Sequence, residues 1–252
     1  MSISKRVGCV AALWRYPVKS MAGEALEHAE VSWHARAVLV LAVLLGDAPL
    51  TLREFMTDEP VPLATIFREI LSLLVTREDA VVFGAHAVNA YCDPPRMTAD
   101  IDVLSTDAAE LADAVRALLS DRFRIAVRVR EVVPGGFRVY QLRKPKNRHL
   151  ADVRQVSQLP PFREIEHVRV VEPAELAAMK AIAIAARKGQ EKGLSDRLDL
   201  HRLLRAFPDL RSESGPIPAR LGELGADAAA LAVWRDVAQS PLDVDDDDDD
   251  DE

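Results

Sequence analysis

The sequence predicts an α/β fold: a small mixed β-sheet with helices, followed by a helical C-terminal subdomain. Three observations carry this reading. Between residues 60 and 156, short apolar runs of strand length alternate with stretches whose apolar residues recur at helical spacing. After residue 173 only helical patterns remain. And the stretch VVFGAHAVNAYCDPPRMTADIDVL, residues 81–104, joins a short apolar strand, a glycine, two turns of helix and a second strand.

Each element has a local reason. Residues 7–13 and 25–31 suit two strands, with a loop over 17–23 between them. Residues 36–56 stay open, since the short apolar run 37–45 suits helix or strand equally. Over 60–78, Leu63, Ile66, Phe67, Ile70, Leu71 and Leu74 recur at helical spacing, which predicts an amphipathic helix packed on the sheet. Residues 81–83 read as a buried strand, 85–91 as a helix ended by Asp93-Pro94-Pro95, and 99–104 as a strand. Thr106 or Asp107 caps a helix to about residue 119, with Leu111, Val115, Leu118 and Leu119 inward. Residues 123–133 and 137–142 read as a hairpin across the turn Pro134-Gly135-Gly136. A basic loop, 143–148, leads to a strand over 149–156 that carries Asp152. Pro160-Pro161 opens an irregular link, and 168–171 is a short apolar piece. Pro173 suits the first turn of a helix to about 188, which residues 189–193 break. Helices over 194–206, 217–224 and 227–238 complete the chain, and the tail from Asp243 is too acidic to bury anything.

Composition bounds the function. The chain has 252 residues, 49% hydrophobic and 29% charged, enough for a packed core. Its formal net charge is −8, but Asp243, Asp245 to Asp251 and Glu252 account for nine negative charges, so the body stands near +1. Bulk charge therefore does not make the body a basic nucleic-acid binder. Cys9 and Cys92 have no zinc-ligand spacing, which points to a reduced, cytoplasmic protein. No apolar run approaches the roughly 20 residues of a membrane span, and Arg15 and Lys19 follow the apolar residues 7–14 too closely for a secretory leader.

Asp100 and Asp102 stand two apart on one strand, so they share a face. Two such carboxylates repel each other, and a divalent cation removes the repulsion. Gly84, opening a helix, lets backbone N–H groups come close to a phosphate. Together these parts suggest metal-assisted phosphoryl or nucleotidyl chemistry. Asp152, one acid on an apolar strand, is a candidate third carboxylate, with a salt bridge to Arg148 or Arg154 as the structural alternative. Arg96 and Thr98 read either as a surface arginine and a strand-start threonine or as site residues that orient a triphosphate or brace the strand. His86, on the helix after the turn, suits packing better than a nucleotide contact. The arginines at 122, 124, 128 and 130, with the loop 143–148, form a local basic patch that fits RNA, the acidic tail, or plain solvation.

The order strand, Gly84, helix, then Arg96-x-Thr98-x-Asp100-Ile101-Asp102 resembles the nucleotidyltransferase signature of the DNA polymerase β superfamily. Over about residues 60–206 it is most similar to the AbiEii-like branch of type IV toxin–antitoxin systems. The family turn usually has Gly or Ser after the first glycine; Ala85 stands there and brings no hydroxyl. The segments around Lys180 and Lys192, with Asp196-x-x-Asp199-Leu200, resemble that branch's helical region. The resemblance implies a Mg²⁺-dependent transfer of NMP from an NTP to a hydroxyl, on tRNA or protein, in a toxin-like role with a partner antitoxin. It implies Asp100 and Asp102 as metal ligands, Asp152 as the third catalytic acid, and Gly84, Ala85, Arg96, Thr98, Lys180 and Lys192 as nucleotide-binding residues. A non-catalytic nucleotide- or RNA-binding module on the same fold is the alternative. The implied organisation is a core over 60–158, a helical subdomain over 159–240 and an acidic tail over 241–252. Residues 7–33, with Leu13-Trp14-Arg15-Tyr16-Pro17-Val18-Lys19-Ser20, resemble the opening of a MOSC N-terminal β-barrel, so 1–35 reads as a remnant of that domain without its activity.

Overall fold

A computed structural model describes residues 14–15, 24–25 and 61–241. The chain divides into two units, residues 1–65 and 66–252. In the first, β1 (Trp14–Arg15) pairs antiparallel with β2 (Glu24–Ala25). The rest of the MOSC-like segment, the ambiguous stretch 36–56 and the tail from Asp243 lie outside the described residues.

The second unit is built on a seven-stranded mixed sheet. Its elements are α1 (Leu63–Val75, which begins at the boundary), β3 (Ala80–Phe83), α2 (Gly84–Asn89), β4 (Ile101–Ser105), α3 (Ala108–Phe123), β5 (Val127–Val133), β6 (Gly136–Gln141), β7 (Arg148–Gln155), β8 (Phe162–Ile165) and β9 (Val168–Val171). Strand order is β5-β6-β7-β4-β3-β9-β8. β7 runs parallel to β4 and β9 parallel to β3; the other neighbours are antiparallel. Four helices follow: α4 (Pro173–Ala186), α5 (Glu191–Ala206), α6 (Pro216–Glu223) and α7 (Ala228–Gln239). The predicted α/β class, mixed sheet and helical C-terminal region are all present.

Burial follows the sequence pattern closely. α1 buries Ile66, Phe67, Ile70 and Leu74. Asp107 caps α3 by accepting from the Glu110 N–H, and Leu111, Val115 and Leu119 lie inward. Around α4 the helices close a second apolar cluster with Leu176, Leu200, Leu203, Ile217 and Trp234 fully buried, and the Trp234 indole donates to the Leu210 carbonyl. No described helix is long and apolar enough to cross a membrane.

Four expectations change. α3 runs on to Phe123 because no glycine or proline follows Leu119; Arg124 ends it in the left-handed conformation, φ 55°. Arg122 and Arg124 therefore leave the strand, and only Arg128 and Arg130 belong to β5. Gly193 does not break a helix but lies inside α5, where a Cβ would fall 2.6 Å from the Arg187 carbonyl oxygen. Asp100 sits in a bend just before β4 rather than on the strand itself. Finally, the sheet continues past residue 158. The link after Pro161 is a hairpin of β8 and β9, turned by Glu166 and His167 at φ 50° and 67°. Both turn residues have the positive φ of a tight hairpin turn without its usual glycine or asparagine, and β8 is an exposed edge.

Candidate functional site

The register of the sheet assembles the site. Asp102 lies opposite Phe83 on β3 and beside Asp152 on β7, and Asp152 lies opposite Arg138 on β6. Partners in register point to one face, so the acids of two strands and an arginine of a third form one row. The two carboxylates expected from separate strands are thus brought together, in the middle of the sheet.

Gly84 closes the other side of Asp102. Its φ is +70°, and a Cβ there would fall 2.1 Å from Asp102 Oδ2. Glycine is required twice, by conformation and by contact. Ala85 is buried behind it.

Asp100 and Thr98 are joined locally: the Thr98 hydroxyl donates to the Asp100 carbonyl at 2.9 Å and braces the approach to β4. His149, not singled out from the sequence, is the residue that completes the group. Its Nδ1 lies 2.8 Å from Asp100 Oδ2 and its Nε2 3.1 Å from Asp152 Oδ1. Arg138 adds a second partner to Asp152, Nε to Oδ1 at 3.0 Å.

The electrostatics divide the three acids. Burial raises the Asp102 carboxyl, with Asp100 adding repulsion, to about 6. Burial alone would also raise Asp100, but the bond and charge of His149 outweigh it and leave that group below the ordinary carboxylate range. The same holds for Asp152, where His149 and Arg138 together overcome burial and hold it well below that range. Burial would lower His149, yet its two carboxylate partners push it up to about 9. Asp102 is therefore the member whose negative charge is least compensated. Arg154, stacked 5.1 Å over the Phe83 ring, and Lys192 are the cations whose fields reach it.

The donor set fits a divalent cation. Asp100, His149 and Asp152 each offer one ligand atom, all within 4.8 Å of one another, and Asp102 is in register beside Asp152. Oxygen donors at this density suit a hard cation.

The remaining expected residues fall into two groups. Lys192 is exposed in the first turn of α5, and its charge is felt by Asp100 and Asp102. Lys180, expected to meet phosphates, is instead 6% exposed, with Nζ 2.9 Å from Asp196 and 2.6 Å from Asp199. Arg96 is also committed: its guanidinium takes both oxygens of Asp199 at 2.5 and 2.7 Å. Its backbone is fixed by Asn89, which accepts from the Arg96 N–H and donates to its carbonyl. Arg202 reinforces this by donating to Asn89 and to the Cys92 and Pro94 carbonyls. The helical region thus grips the loop between α2 and β4 that leads into the acids. His86 packs edge-on to Phe67, the packing role its sequence position suits, and burial lowers it to about 4.

No protein-family model matches the chain, and no curated protein matches it. Solved structures do. The Megavirus polyadenylate synthase superimposes with a TM-score of 0.50 at 12% identity, over 78% of this chain and 42% of that one. The chain thus spans about two fifths of that protein's length. JHP933 from Helicobacter pylori gives 0.45 at 14% identity, over 73% and 91% of the two chains. An antigenic nucleotidyltransferase-like protein from Paracoccidioides brasiliensis gives 0.38 at 15% identity, over 68% and 93%. At such identities the likeness concerns the fold alone: the mixed sheet with its helices is an arrangement shared with the Megavirus polyadenylate synthase.

Proposed function

We propose that the chain is a divalent-cation-dependent nucleotidyltransferase that moves an NMP from an NTP to a hydroxyl acceptor. The observation that carries this is the contact between Gly84 and Asp102, with Asp152 in register on the next strand. It joins a backbone turn that a phosphate can approach to a pair of acids that need a cation. Mg²⁺, held by Asp100, Asp102 and Asp152, would neutralise the charge that gathers on the triphosphate and favour ionisation of the attacking hydroxyl.

The chain's own residues do the rest. The turn at Gly84 and Ala85 receives the phosphates, and Lys192 meets them as a point charge. Thr98 and the Arg96–Asp199 pair hold the approach to β4 so that the acids stay aimed. Arg138 keeps Asp152 ionised and oriented. The acceptor hydroxyl, oriented toward the ionised Asp152, loses its proton to water and its oxygen bonds to the α-phosphorus. The bond from that phosphorus to the bridging oxygen breaks, and pyrophosphate leaves with the electron pair. The acceptor is a tRNA or protein hydroxyl and the role toxin-like, in the cytoplasm with an antitoxin partner; the AbiEii-like spacing of the Gly84, Asp100/Asp102 and Lys180–Asp199 segments supports this.

One observation favours a second reading. Ala85 puts no hydroxyl at the turn, which suits a module that binds nucleotide or RNA without transfer. Incubation with each radiolabelled NTP, Mg²⁺ and cell RNA or lysate separates the two. Label on a macromolecule that disappears in Asp102→Asn establishes transfer and names base and acceptor. Nucleotide binding with no labelled product supports the module.

A further inference from the structure

The strand that carries Asp152 contains an irregularity aimed at the site. Asp152 pairs with Arg138 and Ala151 with Val139, but Tyr140 pairs with His149, so Leu150 is the extra residue of a β-bulge. On a regular strand, residues three apart face opposite sides. The bulge cancels that alternation and turns the imidazole of His149 onto the face of Asp152 and Asp102. Bulges that re-aim a side chain occur next to active sites. This one places both ring nitrogens within 3.1 Å of carboxylates, one on β7 and one in the bend before β4.

We infer that His149 supplies a nitrogen ligand to the cation held by Asp100 and Asp152, and so tilts the site from Mg²⁺ toward Mn²⁺. The inference rests on the metal-assisted reading above and deepens it by naming the cation class. The geometry fits a single ion. At metal–ligand distances of about 2.1 Å, adjacent ligands stand about 3 Å apart and opposite ones about 4.2 Å. The three ligand atoms all lie within 4.8 Å of one another, close to that span. An imidazole suits transition metals, whereas all-oxygen sites suit Mg²⁺. The ligating nitrogen gives up its proton to solvent as the cation enters, and the other ring nitrogen keeps a carboxylate partner, the arrangement that fixes the tautomer of metal-bound histidines. A histidine serving only as counter-ion to the two acids would instead compete with any cation for them.

The test uses the full chain without nucleotide. Mn²⁺ and Mg²⁺ affinities are measured by titration calorimetry for the parent and His149→Ala. Pulsed electron paramagnetic resonance of the Mn²⁺-loaded parent reads nitrogen coupling, with ¹⁵N-histidine labelling to assign it. Expected are a histidine nitrogen coupling in the parent, and in His149→Ala a loss of Mn²⁺ affinity on the order of tenfold or more with a smaller loss for Mg²⁺. A parent that binds Mn²⁺ without nitrogen coupling, or a variant that binds both cations more tightly, overturns the inference and leaves the transferase reading standing. A parent that binds neither cation overturns both. The spectrum of the parent decides even where the variant fails to fold.

Discussion

Asp102 Oδ2 occupies the space that a Cβ on Gly84 would fill, 2.1 Å away. The turn that opens α2 and the acid on β4 are therefore one fitted unit, and neither can change its size alone. Gly84→Ala meets a second obstacle, since its φ of +70° is costly for a residue with a Cβ. The variant is expected to lose about 1–3 kcal/mol of stability and its nucleotide binding, read by urea melts and calorimetry. Wild-type stability in that variant would mean that the close approach is dispensable.

Asp102 should make the metal-free protein sensitive to pH. Its folded-state value, about 6, lies above the ordinary 3.8. The folded state then holds this proton more tightly than the unfolded chain. The resulting stability is complete below about pH 4 and is lost as pH rises through about 6. Asp152 and Asp199 are shifted downward and act in the opposite sense, stabilising above pH 3.8 and losing that as pH falls. The difference between parent and Asp102→Asn isolates the one group. Asn keeps the shape and removes the charge, so near pH 7 the variant should be more stable in EDTA by about 1–3 kcal/mol, the gap closing by pH 4. Mg²⁺ should raise the melting temperature of the parent and much less that of the variant. A destabilised variant with a metal-insensitive parent would remove Asp102 from the site.

Lys180 separates structure from chemistry. It neutralises two buried carboxylates, one of them, Asp199, with no exposed surface. Removing one partner of a buried ion pair costs about 3–5 kcal/mol. Arg187 and Arg96 remain to share Asp196 and Asp199, so the lower end of that range is expected for Lys180→Met, with melts as the measure. A variant of normal stability that fails only in nucleotide binding would return Lys180 to the phosphates.

The pairing of Asp100 with Asp102 and the glycine turn are legible in the sequence because both are local, although Asp100 lies in the bend before β4. Residues two apart share a face, and a glycine before a helix announces a turn. Asp152 was readable as an anomaly, one acid among Leu150, Ala151 and Val153. His149 was not, because alternation places it on the opposite face from Asp152 and only the bulge at Leu150 brings it round. The commitment of Arg96 to Asp199 spans 103 positions, beyond any local pattern. β8 is hidden for a different reason: an exposed edge strand with Arg163 and Glu164 shows no apolar run.

Lys192 offers the cleanest view of the nucleotide. It is exposed, makes no ion pair among the described residues, and stands in the first turn of α5, where a cation gains nothing from the helix dipole. Lys192→Gln should therefore leave the melting temperature within the small range of ordinary surface changes, about 0.5 kcal/mol. Two other quantities should move. NTP affinity should fall by about tenfold, the worth of one charge-assisted phosphate contact of roughly 1.5 kcal/mol, and the salt dependence of binding should weaken with it. The titration of Asp102 should shift upward, because one of the cations opposing its burial is gone. Calorimetry at two ionic strengths and carboxyl-resolved NMR titration read these separately. An unchanged NTP affinity together with an unmoved Asp102 would place Lys192 on an unrelated surface and leave the triphosphate to the turn at Gly84 alone.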